Sequence, residues 1–243
     1  TKWKPKFCAT PYSPELTPDN YDTLNATTGE LSDECAHYLM QLMYVARIAR
    51  PDLLVAITRL ASKIHKWTLD SDRKVKRLFD YLQCHCDIYL KGWLRPRDKD
   101  IVEIWAWPDA DLAGDKDSSK STSGRFVELA SPKGGSLPLS WGTNKQGGSA
   151  HSTPEAEAVS LADCMRKEAI PLQRLMSVLL DRPVVVRVWE YNEATITIVE
   201  KGYSPALRYL ARTQRTSIGM LNELFHPENE EDSLKLFHLA YSK

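Results

Sequence analysis

The chain has 243 residues and a mass of 27.6 kDa, with 42% apolar and 26% charged residues, ordinary values for one large or two modest folded domains. Its 32 Lys and Arg balance 32 Asp and Glu, and this composition excludes a disordered tail, a collagen-like rod and a disulfide scaffold. No stretch approaches the roughly 18 uncharged apolar residues of a membrane span. Five cysteines without framework spacing indicate reduced thiols and an intracellular setting, and the basic start Thr1–Lys6 leads into no apolar run of a secretory signal.

The charge is unevenly spread. Residues 1–97 carry 15 Lys and Arg against 11 Asp and Glu, and residues 98–243 carry 17 against 21. Residues 1–29, with Pro5, Pro11, Pro14 and Pro18 and no apolar period, read as an extended arm or linker. A helical segment over 30–97 follows. Its first helix starts near Ser32 as N-cap, with Tyr38, Leu39, Leu42, Met43 and Ala46 at helical spacing. Pro51 ends it and opens a second helix through Leu54, Ile57, Leu60 and Ile64. A third runs from about Asp70 to Asp87 on Val75, Leu78, Phe79 and Leu82.

The period changes after the charged run Arg95–Asp100. Ile101–Trp107, Gly124–Ala130 and Leu137–Trp141 read as strands, with a polar, turn-rich stretch over Asp109–Ser123. A helix starts at Thr153–Pro154 and runs towards Leu180, Pro183–Glu190 is a β-branched strand, and Ala194–Lys201 and Ser204–Phe225 read as helices. The pattern indicates a mixed α/β domain over 98–225, with 226–243 as a C-terminal tail.

Acidic residues stand at element ends: Asp109 and Asp111 after the first strand, Glu155 and Glu157 in the first turn of the Thr153 helix, Glu190 at the end of the fourth strand. Carboxylates drawn from several elements repel one another and persist together mainly around a hard cation such as Mg²⁺. Taken singly, each is better explained as a turn former or as a partner of the helix dipole.

The ordered motifs say more. Asp109-Ala110-Asp111-Leu112-Ala113-Gly114-Asp115, Lys120-Ser121-Thr122-Ser123-Gly124, Leu139-Ser140-Trp141 with Lys145-Gln146, Ser152-Thr153-Pro154-Glu155-Ala156-Glu157, Asn192-Glu193-Ala194-Thr195-Ile196 and Arg212-Thr213 resemble the ribonuclease H domain of copia-type long-terminal-repeat retrotransposon polyproteins. Upstream, Ala46–Asp52 and Lys76–Leu82 resemble the segment that connects reverse transcriptase to that domain. The resemblance implies a ribonuclease H-like fold, a five-stranded mixed sheet flanked by helices, with a fifth strand expected within 201–210. It also implies Mg²⁺-dependent cleavage of the RNA strand of RNA–DNA hybrids. By the same resemblance, the catalytic and metal-binding residues are Asp109 and Glu157, with Glu155 the alternative; about 200° of helix rotation separates the two glutamates, so only one can face the metal.

Two positions depart from the pattern. The family's strand-end Asp falls on Tyr191, a poor Mg²⁺ ligand, and its last-helix carboxylate falls on Ser217. Glu190 stands next to Tyr191, but strand neighbours point to opposite faces, so it is not expected to substitute. Impaired cleavage follows, with a silent nucleic-acid- or protein-binding module, a subunit of a larger assembly, as the alternative. Arg73, Lys74, Lys76 and Arg77 form the basic helical face that would track phosphates, against a solvated-surface reading. Cys84-His85-Cys86 lacks the second ligand pair of a zinc site, and Ser149, His151 and Ser152 lack a nucleophile elbow.

Overall fold

Residues 4–12, 24–115, 119–227 and 235–242 are described in a computed structural model. The chain divides into a helical unit, Thr1–Leu90, and a sheet unit, Lys91–Lys243. Much of the expected arm, at 13–23, lies outside the described residues, as do 228–234 of the expected tail.

In the helical unit, α1 spans Cys35–Ile48. It starts after Glu34 and not at Ser32, because Ser32 is taken up in a turn in which its N–H donates to the Gly29 carbonyl. Pro51 opens a 3₁₀ turn, Pro51–Leu53, that leads into α2 (Leu54–Ala61). Helix α3 (Leu69–Cys84) starts with a reciprocal cap: the Thr68 hydroxyl accepts the Ser71 N–H, and the Ser71 hydroxyl accepts the Thr68 N–H. Leu39, Leu42, Ile57, Leu60, Val75 and Leu78 are buried from the three helices. Arg50-Pro51-Asp52 is a clamp with Arg50 buried. Arg50 pairs with Asp52 at 2.8 Å and reaches the His85 carbonyl at 2.9 Å, while the Tyr81 hydroxyl donates to Asp52 at 2.9 Å. Burial works against Asp52, but the bonds from Arg50 and Tyr81 hold its carboxyl below the usual range.

In the sheet unit, β1 (Glu103–Asp115), β2 (Lys120–Ala130) and β3 (Ser136–Lys145) form an antiparallel meander. Helix α4 (Thr153–Cys164) follows, then a π-helical turn at Met165–Ala169 and α5 (Ile170–Leu179). Next come β4 (Val186–Glu190), α6 (Glu193–Lys201), a short α7 (Leu210–Thr213), α8 (Ile218–Phe225) and β5 (Phe237–Tyr241). The order across the sheet is β3-β2-β1-β4-β5, with β4 parallel to β1 and β5 parallel to β4. This is the ribonuclease H arrangement, a mixed five-stranded sheet with flanking helices.

Three differences from the sequence reading have physical causes. Asp109–Asp111 lie inside β1, because the polar stretch zips into a hairpin with Asp109 opposite Gly124 and Asp111 opposite Thr122. The Asp111 carboxylate lies over Gly114, so a side chain there would displace it. The fifth strand is Phe237–Tyr241 and not within 201–210, where Pro205 seeds a 3₁₀ turn. The helix expected over 204–225 is broken into short pieces, and α6 ends at Gly202 with φ +69°.

One face of the sheet carries the core. Ile104 and Ala106 of β1, Val127 and Leu129 of β2, and Val186 and Val188 of β4 meet Leu161 and Met165 of the α4 segment and Leu221 and Phe225 of α8. Each such large side chain contributes about 1.5–3 kcal/mol on burial. The other face carries half-buried aromatics: Trp107 and Trp189 stack at 5.5 Å with a 17° interplanar angle, and Phe126 and Trp141 at 6.4 Å with 21°. Among the described residues no helix is long and apolar enough to cross a membrane.

Candidate active site

The site is built where β1 and β4 part. The β1 N–H groups that face β4 come from alternate residues, with Ile104 donating to the Val185 carbonyl at 2.8 Å. The alternation reaches Pro108, which has no N–H, and the pairing ends at Ala106 opposite Val188. Extending that register sets Glu190 level with Pro108, and Tyr191 level with Asp109.

The two faces then separate the acidic groups. Val186, Val188 and Glu190 alternate towards the core, so the Glu190 side chain is fully buried on the helix side. Asp109 is exposed on the other side, and Tyr191 is 50% exposed.

Helix α4 supplies the third carboxylate. Ser152 caps it, accepting the Glu155 N–H, and Pro154 fits in the first turn. Glu155 and Glu157 diverge as helical rotation requires. Glu155 is 1% exposed and accepts the His151 N–H at 2.7 Å. Tyr209 faces the same carboxylate, and burial together with Glu155 pushes its hydroxyl up to about 12. Glu157, 7% exposed, instead accepts the Ala110 N–H and lies within electrostatic reach of Glu190 and Asp109. Burial first, then Glu190, then Asp109, pushes Glu157 up to about 8, and burial with Asp109 pushes Glu190 up to about 7 against the N–H groups of Asn192 and Tyr191. Glu157 Oε2 and Glu190 Oε2 have no hydrogen-bond partner among the described residues.

Several polar residues hold this arrangement together. The Ser160 hydroxyl, one turn beyond Glu157, lies 2.7 Å from the Asp109 carbonyl and 3.1 Å from that of Gly124, pinning α4 across the β1–β2 hairpin. Gln146 is buried and donates to the Ser123 hydroxyl at 3.0 Å and the Ala156 carbonyl at 2.9 Å. Ser217 caps α8 by accepting the Met220 N–H at 3.2 Å. Ser160→Ala should cost about 1–2 kcal/mol in chemical denaturation, because it leaves buried carbonyls without their donor; an unchanged midpoint would remove Ser160 from this role.

Sequence reasoning missed Ser160 and undervalued Glu190. A Ser on the same helical face as Glu157 was the available signal for the first. For Glu190 the signal was the strand alternation of Val186 and Val188, which carries Glu190 to the same face.

Ribonuclease H folds generally use Mg²⁺, a hard cation held by oxygen ligands. Among the described residues no group of three or more His, Cys, Asp and Glu side chains is arranged to hold a metal, Cys84-His85-Cys86 included. Without such a group, and with Glu190 fully buried, the residues present do not fit a two-ion centre.

No family model matches the chain. The retrovirus-related Pol polyproteins from transposons RE2 and RE1 of Arabidopsis thaliana are 38% and 36% identical over 124 residues, half of this chain and 8% of each polyprotein. Secreted RxLR effector protein 161 of Plasmopara viticola is 31% identical over 126 residues, 52% of this chain and 82% of that protein.

The chain's homologues are retrovirus-related Pol polyproteins from transposons.

The chain spans about 8% of the length of the two Pol polyproteins. Among solved structures, ribonuclease H1 from Halobacterium salinarum aligns with 58% of this chain and 85% of its own at 11% identity and a TM-score of 0.36. The prototype foamy virus protease–reverse transcriptase aligns with 64% of this chain and 19% of its own at 13% identity and a TM-score of 0.33.

Proposed function

We propose that the sheet unit is a Pol-derived ribonuclease H-like domain that binds RNA–DNA hybrids and whose ancestral Mg²⁺-dependent cleavage of the RNA strand is impaired. The observation that supports this reading is the pairing of positions at the β1–β4 split. Tyr191 is level with Asp109 on the exposed side, where the family has a carboxylate, while Glu190 is buried on the other side. A phenol hydroxyl is a poor ligand for Mg²⁺, which selects carboxylate oxygens. Ser217 brings no carboxylate either, and is engaged at the start of α8. Asp109 and Glu157 remain as the catalytic and metal-ligand candidates, and two carboxylates fall short of what holding two ions requires.

The test is a paired measurement on the full chain with a labelled hybrid. Binding should be saturable and salt-sensitive, and cleavage in Mg²⁺ should stay at the no-protein background. Robust cleavage that vanishes in Asp109→Asn would overturn the impairment; absence of hybrid binding would overturn the recognition.

A further inference from the structure

The basic face of α3 is partly consumed by the protein itself. Arg73 and Lys74 both close on Asp70, at 2.9 and 2.6 Å. Arg77 holds the N-terminal arm through the carbonyls of Thr10 and Tyr12, at 3.2 and 3.1 Å. Lys76 alone of the four is exposed. It opens onto a cavity of about 710 Å³ between α3 and residues 4–8 of the arm, lined also by Lys4 and Lys6, both exposed. That volume falls within the range of small-ligand sites, about 300–1,000 Å³.

The lining combines positive charge with an apolar wall. Five cations face three carboxylates, those of Glu30, Asp72 and Asp80. Asp72 is already engaged, accepting the Glu30 N–H and the Trp67 indole N–H, each at 2.6 Å, and Asp80 accepts the Lys6 N–H at 3.0 Å. Beside the lysines, Phe7 presents a ring that is 79% exposed, with Leu69 as a second apolar surface. A ligand suited to this lining has compact negative charge at one end and a flat apolar body at the other. An acidic peptide fits less well, because its spaced carboxylates would meet those of the lining.

We propose that this cavity binds a phosphorylated nucleoside, free or carried in a strand, with the phosphate on Lys4, Lys6 and Lys76 and the base against Phe7. It is a site of the helical unit and goes beyond the hybrid recognition assigned to the sheet unit. Stacking on an exposed aromatic ring is tolerant of base identity, so little discrimination among bases is expected.

The experiment titrates the full chain with adenosine monophosphate, inorganic phosphate and a fluorescein-labelled single-stranded RNA. It compares three variants: Lys4→Ala/Lys6→Ala/Lys76→Ala, Phe7→Ala, and the charge-matched Lys99→Ala/Lys133→Ala/Lys235→Ala of the sheet unit. All the replaced lysines are exposed. The cavity triple variant should weaken binding at least tenfold, and for RNA should reduce the salt slope by about 2. Phe7→Ala should weaken it about fivefold or more, and the sheet-unit control less than twofold. Sensitivity seen with the monophosphate alone supports a free nucleotide, and with RNA alone a strand-borne one. Inorganic phosphate binding as tightly as the monophosphate would overturn the nucleoside part of the proposal. Hybrid binding with no probe sensitive to the cavity lysines would overturn the site and leave the hybrid reading intact; the reverse pattern would do the opposite.

Discussion

Tyr191→Asp should give the chain Mg²⁺-dependent hybrid cleavage at least tenfold above background. The substitution replaces a half-exposed side chain at the mouth of the β1–β4 split, so it disturbs no core packing. It puts a carboxylate level with Asp109 and on the same side of the sheet, the position from which Glu190 is excluded by the alternation of β4. Mg²⁺ affinity measured by calorimetry should rise with it, since oxygen ligands of opposite charge are what a hard cation selects. Adding Asp109→Asn to Tyr191→Asp should return cleavage to background. If Tyr191→Asp gains neither affinity nor activity, the site has lost more than one ligand or the register is misread.

The second large effect is on stability and its pH dependence. The folded chain holds the Glu157 proton up to about pH 8, whereas the unfolded chain releases it near the ordinary glutamate value of 4.5. Between those values the folded state binds more protons than the unfolded state. Raising pH through the window therefore costs stability, and stability is fully present below about pH 4.5. Glu190 adds to the slope up to about pH 7. Glu157→Gln keeps the shape and removes the charge, so it should flatten the slope and stabilise the protein at pH 8 by on the order of 2 kcal/mol, a few degrees in Tm. Thermal unfolding at pH 5 and pH 8 reads this directly. A variant less stable than the parent at pH 8 would mean that the Glu157 charge is compensated by a cation.

Much of the sheet unit could be read from its residues, and the failures share a cause. Ile104, Ala106, Val127, Val186 and Val188 carry the apolar alternation of buried strands, and Ser152-Thr153-Pro154 carries a helix start, so these elements declared themselves locally. The preference for Glu157 over Glu155 rested on family form, and the structure separates the two by what each carboxylate faces. Asp109–Ser123 reads as a polar, turn-rich stretch because polar residues pair across a hairpin through backbone bonds that composition does not reveal. The strand Phe237–Tyr241 lies beside a charged segment, and only parallel pairing with β4, some fifty residues earlier, makes it a strand. In the helical unit the basic face was legible as charge, but the partners that absorb Arg73, Lys74 and Arg77 were not.

Trp107 and Trp189 stack across the strands that Pro108 allows to part. Two indoles held 5.5 Å apart and nearly parallel couple their electronic transitions, and Trp105 stands edge-on to Trp189 at the same distance. The seam beside the candidate site therefore carries its own optical signal, an exciton couplet in circular dichroism that depends on the relative angle of rings from β1 and β4. A ligand that wedges the strands apart changes that angle before it disturbs the core on the opposite face, so opening of the mouth can be followed without any label.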